Sequence, residues 1–427
     1  MNNDNNEIMK PSKFKMKYFL CLILVNLKLI FPYIKLPFKT LEIDHIDYLY
    51  NNYIYINLDL GNPPQNNTKI VLKKGKYFFY LYDSDIYSNI SYNKAFSTNY
   101  RTLVDEKVEL ASSNCKQGIL SMETFFVENY KIDNFTFYLC IKSKNEEYLF
   151  FEGEIGLNLE YQTPPNTNFI QALKIKEIIN NYIYSIYYIN DKEGFLLIGE
   201  YPHKIKFNNP LYEKYSDIKE SNLVWIHSQI GKNNFHWTIL FDKISYGFGN
   251  IYQAQREARI LIETKYIISS NQYYYLFSEI FGKKCTTIML DEDLQGFKCS
   301  KDINIELTPE IKFYNKELNV TFILDYNDLF IEKGDYLYFL VTNYFDYEPG
   351  YWVLGKPFLK KYLFLFNYDT KMIGFYKVSD KIKANNKNVI NSYILSVIFN
   401  IFFVIIIIAL IFAFYHYYFK KRRIRAN

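Results

Sequence analysis

From about Asp47 to Asp380 the apolar positions fall in short runs, many alternating with polar ones, between turns rich in Asn, Asp, Lys and Gly. A period of two marks strands that bury one face. Tyr53–Leu60 and Lys69–Leu72 are two such runs, joined by the turn sequence Gly-Asn-Pro-Pro-Gln at 61–65. Two segments break the rhythm. Asn168–Asn180 spaces Ile170, Leu173, Ile175 and Ile178–Ile179 along one helical face, and Ser270–Phe281 begins on an N-cap residue and stops at Gly282. Many strands and two isolated helices predict an all-β architecture with short helical additions. No repeat of fixed period is evident.

The ends of the chain differ from its middle. Lys10, Lys13, Lys15 and Lys17 precede the apolar run Tyr18–Leu27, the charge order of a secretory signal, although Lys28 interrupts it. Residues 1–34 are therefore read as a signal peptide or an N-terminal anchor. Residues 392–416 are almost wholly apolar, long enough for a helix to cross a bilayer about 30 Å thick. Lys420-Lys421-Arg422-Arg423 follows, and basic flanks stay cytosolic. The expectation is a single-pass type I protein of a secretory-pathway or cell-surface membrane, with a luminal or extracellular domain and a short tail at 417–427.

Composition adds to this picture in places. With 43 Tyr and 37 Phe the chain is 19% aromatic, which favours strands over helical bundles. A net charge of +5 spread over 427 residues gives no basis for a nucleic-acid partner. Outside the presumed signal stand Cys115, Cys140, Cys285 and Cys299, an even number in an oxidising compartment. Three connectivities remain open; local pairing, 115 with 140 and 285 with 299, is the simplest. The five His are scattered, so neither metal nor cofactor is expected. Sequons at Asn66, Asn89, Asn134 and Asn319 are candidate glycosylation sites. Asp83-Ser84-Asp85 and Asp291-Glu292-Asp293 read as solvated turns, and no G-x-S-x-G elbow, phosphate loop or H-E-x-x-H occurs.

A weak twofold echo runs through the middle. Ile70–Lys76 and Glu154-Ile155-Gly156-Leu157 in one half are matched by Ala258–Lys265 and Trp352-Val353-Leu354-Gly355 in the other. Together with Leu60–Gln65, Phe151-Glu152-Gly153-Glu154-Ile155-Gly156-Leu157, Phe169–Leu173, Tyr184–Tyr187, Gly194–Gly199, Tyr351–Leu359 and Ile373-Gly374-Phe375, this order resembles the pepsin-like aspartic proteases. In that family the corresponding segments read I-G-T-P-P-Q, F-D-G-I-L-G-L, F-S-I-Y, G-x-L-x-L-G and W-I-L-G-D-x-F-L. The resemblance covers roughly Asp47 to Val378. It implies a bilobal acid-protease fold, with lobes at 47–205 and 206–380, and a disulfide between Cys285 and Cys299.

The resemblance also locates the chemistry, and there the sequence departs from it. The first catalytic D-T-G-S loop is read as Lys73-Lys74-Gly75-Lys76 and the second as Glu263-Thr264-Lys265-Tyr266. No credible catalytic residue remains, because the mechanism needs two carboxylates sharing one proton. Lys73 and Glu263 would face each other, as a structural ion pair or as drifted residues with Lys73 reaching solvent. Tyr80, at the family's Trp position, and Leu110, in a flap without its Tyr, are the cleft candidates. The expected function is an inactive pseudo-peptidase that holds peptide or protein in the inherited cleft. The alternatives are an active endopeptidase with an unorthodox dyad and a surface glycoprotein without cleft function.

Overall fold

The computed structural model describes residues 33–41, 53–73, 78–87, 92–110, 115–143, 151–158, 167–205, 218–228, 236–246, 249–252, 255–269, 271–291, 294–301, 303, 310–344 and 350–377. Among the described residues every strand lies in one compact unit made of Met1–Asn208 and Lys219–Tyr376. A second unit, Asn209–Ile218 with Lys377–Asn427, has only Ile218 and Lys377 among the described residues.

The first half of the chain supplies strands β1 (Ile34–Thr40), β2 (Ile54–Leu60), β3 (Gln65–Lys73), β4 (Phe79–Tyr82), β5 (Arg101–Glu109), β6 (Cys115–Val127), β7 (Tyr130–Ser143), β8 (Gly153–Gly156), β9 (Ile183–Tyr188) and β10 (Glu193–Ile198). The second half begins with β11 (Leu223–His227), β12 (Thr238–Phe241), β13 (Lys243–Tyr246), β14 (Gly249–Tyr252), β15 (Arg256–Ile260) and β16 (Ile267–Ser269). It continues with β17 (Cys285–Asp291), β18 (Leu294–Ser300), β19 (Ile311–Asn315), β20 (Val320–Leu324), β21 (Phe330–Lys333), β22 (Tyr336–Tyr344) and β23 (Tyr351–Leu354), and ends in β24 (Phe364–Asn367) and β25 (Met372–Tyr376). The mostly-β expectation holds. Among the described residues no helix is long and apolar enough to cross a membrane, and the span expected at 392–416 lies outside them.

One sheet of 13 strands runs in the order β11-β25-β24-β9-β10-β1-β2-β3-β8-β4-β7-β6-β5; a second runs β12-β15-β23-β16-β22-β18-β17, with β21 paired to β22; a third runs β14-β13-β19-β20. Three strands from the segment assigned to the second lobe, β11, β24 and β25, therefore join the sheet of the first half. β1 links the two parts of that sheet, pairing with β10 from Ile34 to Lys39 and with β2 from Phe38 to Thr40. Its alternation puts Ile34, Leu36 and Phe38 in the core, so residue 34, the end of the presumed signal, belongs to the fold.

The ring of Phe38 explains a glycine. A Cβ on Gly194 would sit 1.9 Å from the Tyr187 carbonyl oxygen and 2.4 Å from that ring. Gly194→Ala is expected to cost about 1–3 kcal/mol through overpacking. Chemical denaturation reads it as a lower midpoint at unchanged slope.

The helix predicted over 168–180 is shorter, Phe169–Ile175, with the Asn168 side chain accepting a hydrogen bond from the Gln171 N–H at its start. It ends because Glu177 turns left-handed (φ 56°), and the N–H groups of Glu177 and Ile178 reach back to the carbonyls of Lys174 and Leu173. The apolar spacing persisted past that point because Ile179 is buried after the helix has ended. The second predicted helix is Asn271–Phe281, followed by Gly282 at φ 50°. Disulfides join Cys115 to Cys140 and Cys285 to Cys299, the local pairing, and tie β6 to β7 and β17 to β18. Asp83 is not a solvated turn residue. It is buried, and Lys94 Nζ sits 2.7 Å from its carboxylate and 2.9 Å from that of Asp85.

Candidate functional site

β3 and β8 run parallel, with Ile70 level with Gly153 and Lys73 level with Gly156. Side chains alternate across a strand, so Ile70 and Leu72 enter the main core while Val71 and Lys73 leave by the other face. Glu154 of β8 and Tyr80 of β4, its antiparallel neighbour, leave by that same face. There the Lys73 ammonium meets the Glu154 carboxylate at 2.8 Å, with side-chain exposures of 15% and 4%.

This corrects the sequence expectation. The partner of Lys73 is Glu154, and Glu263 adds only its field. Burial works against the ammonium, but the charge and hydrogen bond of Glu154, helped by Glu263, hold the Lys73 pKa above the ordinary lysine value. Burial pushes the Tyr80 hydroxyl well above its usual range, and Glu154 and Tyr82 add to the shift. The Tyr80 and Tyr82 hydroxyl oxygens are 3.4 Å apart. Sequence reasoning missed Glu154, though its signal was present: a carboxylate stands between Gly153 and Ile155 where the resembled motif, F-D-G-I-L-G-L, has isoleucine.

The second half repeats the plan. β15 and β23 are parallel, with Ile260 level with Leu354, and Ala258, Ile260 and Ile262 enter the core. The loop that follows carries Glu263, half-buried, and Thr264, buried. Gly355 presses on this loop: a Cβ there would lie 2.1 Å from the Tyr266 carbonyl oxygen and 2.4 Å from that of Thr264. The N–H of Lys356, just after Gly355, donates to the Thr264 carbonyl at 2.9 Å. In the first half the N–H of Leu157, just after Gly156, donates to the Lys73 carbonyl at 2.8 Å. Those two bonds make Lys73 the counterpart of Thr264. The residue level with Glu263 is then Leu72, fully buried and one place earlier than the sequence alignment had it.

The halves meet beside these loops. The Leu157 carbonyl accepts the Tyr184 hydroxyl at 2.7 Å and the indole N–H of Trp237 at 3.1 Å. Asn158 Nδ2 lies 3.2 Å from His236 Nδ1. The field of Glu263 reaches the Tyr184 hydroxyl, whose pKa burial raises well above the ordinary value. Tyr80 and Leu110, the two cleft candidates, are both buried in one cluster with Phe78, Tyr82, Tyr87, Tyr138 and the Cys115–Cys140 bridge. Leu110 is held there by its N–H, which donates to the Lys116 carbonyl at 2.9 Å, and residues 111–114 lie outside the described residues. Among the described residues no group of three or more His, Cys, Asp or Glu converges as metal ligands would. Asn66, Asn134 and Asn319 are exposed, and Asn89 lies outside the described residues.

The family model for eukaryotic aspartyl protease matches residues 53–378. The chain belongs to this family. No curated protein matches it. Aspartyl proteases work through two carboxylates, one activating water while its protonated twin polarises the substrate carbonyl. This member presents a leucine and a lysine on one side and a glutamate on the other.

Proposed function

We propose that the chain is a catalytically inactive aspartyl protease homologue, anchored in a secretory-pathway or surface membrane by residues 392–416, that binds peptide or protein in the cleft between its halves. Leu72, level with Glu263 and fully buried, carries the inactivity reading, because it leaves one carboxylate where a dyad needs two. A dyad works because two carboxylates cannot both ionise at close range, so one stays protonated. With Leu72 at one of these positions and Glu263 at the other, no second carboxylate stands there to share a proton, and Lys73 beside them is held by Glu154. The absence of an Asp-Thr-Gly or Asp-Ser-Gly triplet from the sequence supports the same reading. Retention of the paired parallel strands β3–β8 and β15–β23 supports a preserved groove, and such grooves take extended chains through backbone pairing and side-chain pockets. The apolar segment and its basic flank support the anchor, and the exposed sequon asparagines support glycosylation on the luminal side.

The test is an assay of the full-length chain in detergent against unfolded protein from pH 3 to 7, with and without an aspartic-protease inhibitor. No inhibitor-sensitive cleavage is expected, in the wild type or in Glu263→Gln. Inhibitor-sensitive cleavage that disappears in Glu263→Gln would overturn the reading and favour an endopeptidase with an unorthodox dyad.

A further inference from the structure

Arginine is scarce in this chain. Of its 50 Lys and Arg residues only Arg101, Arg256, Arg259, Arg422, Arg423 and Arg425 are arginine, and two of the three that precede the tail stand on β15. A guanidinium differs in being planar: it can stack on an aromatic ring and still donate paired N–H bonds from its edge.

Arg259 is held in that way, with Cζ 3.4 Å from the centre of the Tyr351 ring. The parallel register sets Arg259 level with Val353 and Glu257 level with Tyr351. These side chains leave by the face opposite to Ala258 and Ile260, the face on which Val353, Tyr351 and Leu261 pack together. Arg259 is half-buried, and its Nε is buried with no acceptor. Among the described residues no carboxylate lies within ion-pair distance of it, although Glu257 stands two positions away on the same face. Because Nε is enclosed, an anion would meet this stacked guanidinium at its two terminal N–H groups, which together match a planar carboxylate.

We propose that Arg259, braced on Tyr351, recognises a carboxylate of the bound peptide, from an acidic side chain or from its C-terminus. The peptide part rests on the function proposed above; the carboxylate part rests on Arg259 alone.

The full-length chain, labelled with 15N-arginine and held in detergent, separates the two. The Nε–H signal of Arg259 is identified by its loss in Arg259→Lys. It is expected to move saturably with N-acetylglutamate amide or with N-acetyl-leucine, which distinguish the side-chain from the terminal carboxylate. It should stay fixed with N-acetylglutamine amide. No movement with either acid, equal movement with the glutamine probe, or equal movement of all the arginines would overturn the proposal.

A second measurement compares a blocked ten-residue Leu/Glu peptide with its Leu/Gln twin. The wild type is expected to prefer the acidic peptide by about 10-fold or more, the range of a charge-assisted bond, and Arg259→Met to lose the preference. Equal binding of both peptides, unchanged in Arg259→Met, overturns the role of Arg259 and leaves the cleft reading standing. A response to the small acids with no binding of either peptide upholds carboxylate recognition and overturns the cleft reading.

Discussion

Glu154→Leu is expected to destabilise the protein by about 3 kcal/mol, the low end of the range for breaking a buried ion pair by removing one partner. The physical cause is what stays behind. Lys73 is only 15% exposed at its side chain, and with Glu154 gone its ammonium has the field of Glu263 but no carboxylate in contact. The double variant Lys73→Met with Glu154→Leu should recover most of the loss, since an apolar pair of similar volume removes both desolvation costs. Equilibrium unfolding of the two single variants and the double variant gives the coupling directly. Additive losses would mean that the two groups do not sense each other.

The same pair has a defined pH window. The folded-state pKa of Lys73 is raised, so its contribution is complete below the ordinary lysine value near 10.5 and is lost as pH rises through the higher folded value. Unfolding midpoints are therefore expected to fall at strongly alkaline pH in the wild type and to fall less in the double variant.

Trp237→Ala is expected to cost about 4 kcal/mol, within the range for emptying a buried aromatic site. Trp237 is fully buried, packs on Phe366 at 5.2 Å and Tyr368 at 5.4 Å, and donates to the Leu157 carbonyl. That bond links a residue just after β8 to one just before β12, so the substitution strikes the junction of the halves. Trp237→Phe keeps the ring contacts and drops one hydrogen bond, and should cost about 1 kcal/mol. Equal losses for the two variants, measured by denaturation, would locate the effect in the hydrogen bond.

Much of the frame around this site was legible because it rests on local rules. The Pro-Pro turn, the glycine-bounded run 153–156 and the aromatic strand after Lys73 each leave a mark in a few adjacent residues. The pairing of Lys73 was not legible. It joins β3 to β8 across the four intervening strands β4 to β7, and only the parallel register sets Lys73 and Glu154 on one face. The one-residue offset between Lys73 and Leu72 escaped for a related reason. Counting residues through a loop with a changed sequence is ambiguous, whereas two equivalent backbone bonds to Lys73 and Thr264 are not. Asp83 illustrates a third limit. Polar neighbours in sequence suggested solvent, but Lys94, eleven residues on, folds back over it.

The position of β1 sets a timetable for the chain as it is made. Ile34 must pair with Ile198, and β11 with β25, the last strand of the sheet. At a synthesis rate of about 5–20 residues per second, the apolar edge of β1 emerges roughly 10–30 s before its partner β10 exists. Until then Ile34 and Leu36 lack the strand that pairs with them in the finished sheet, since β2 reaches only Phe38–Thr40. The first strand made is thus completed only after more than half of the sheet's strands have been synthesised.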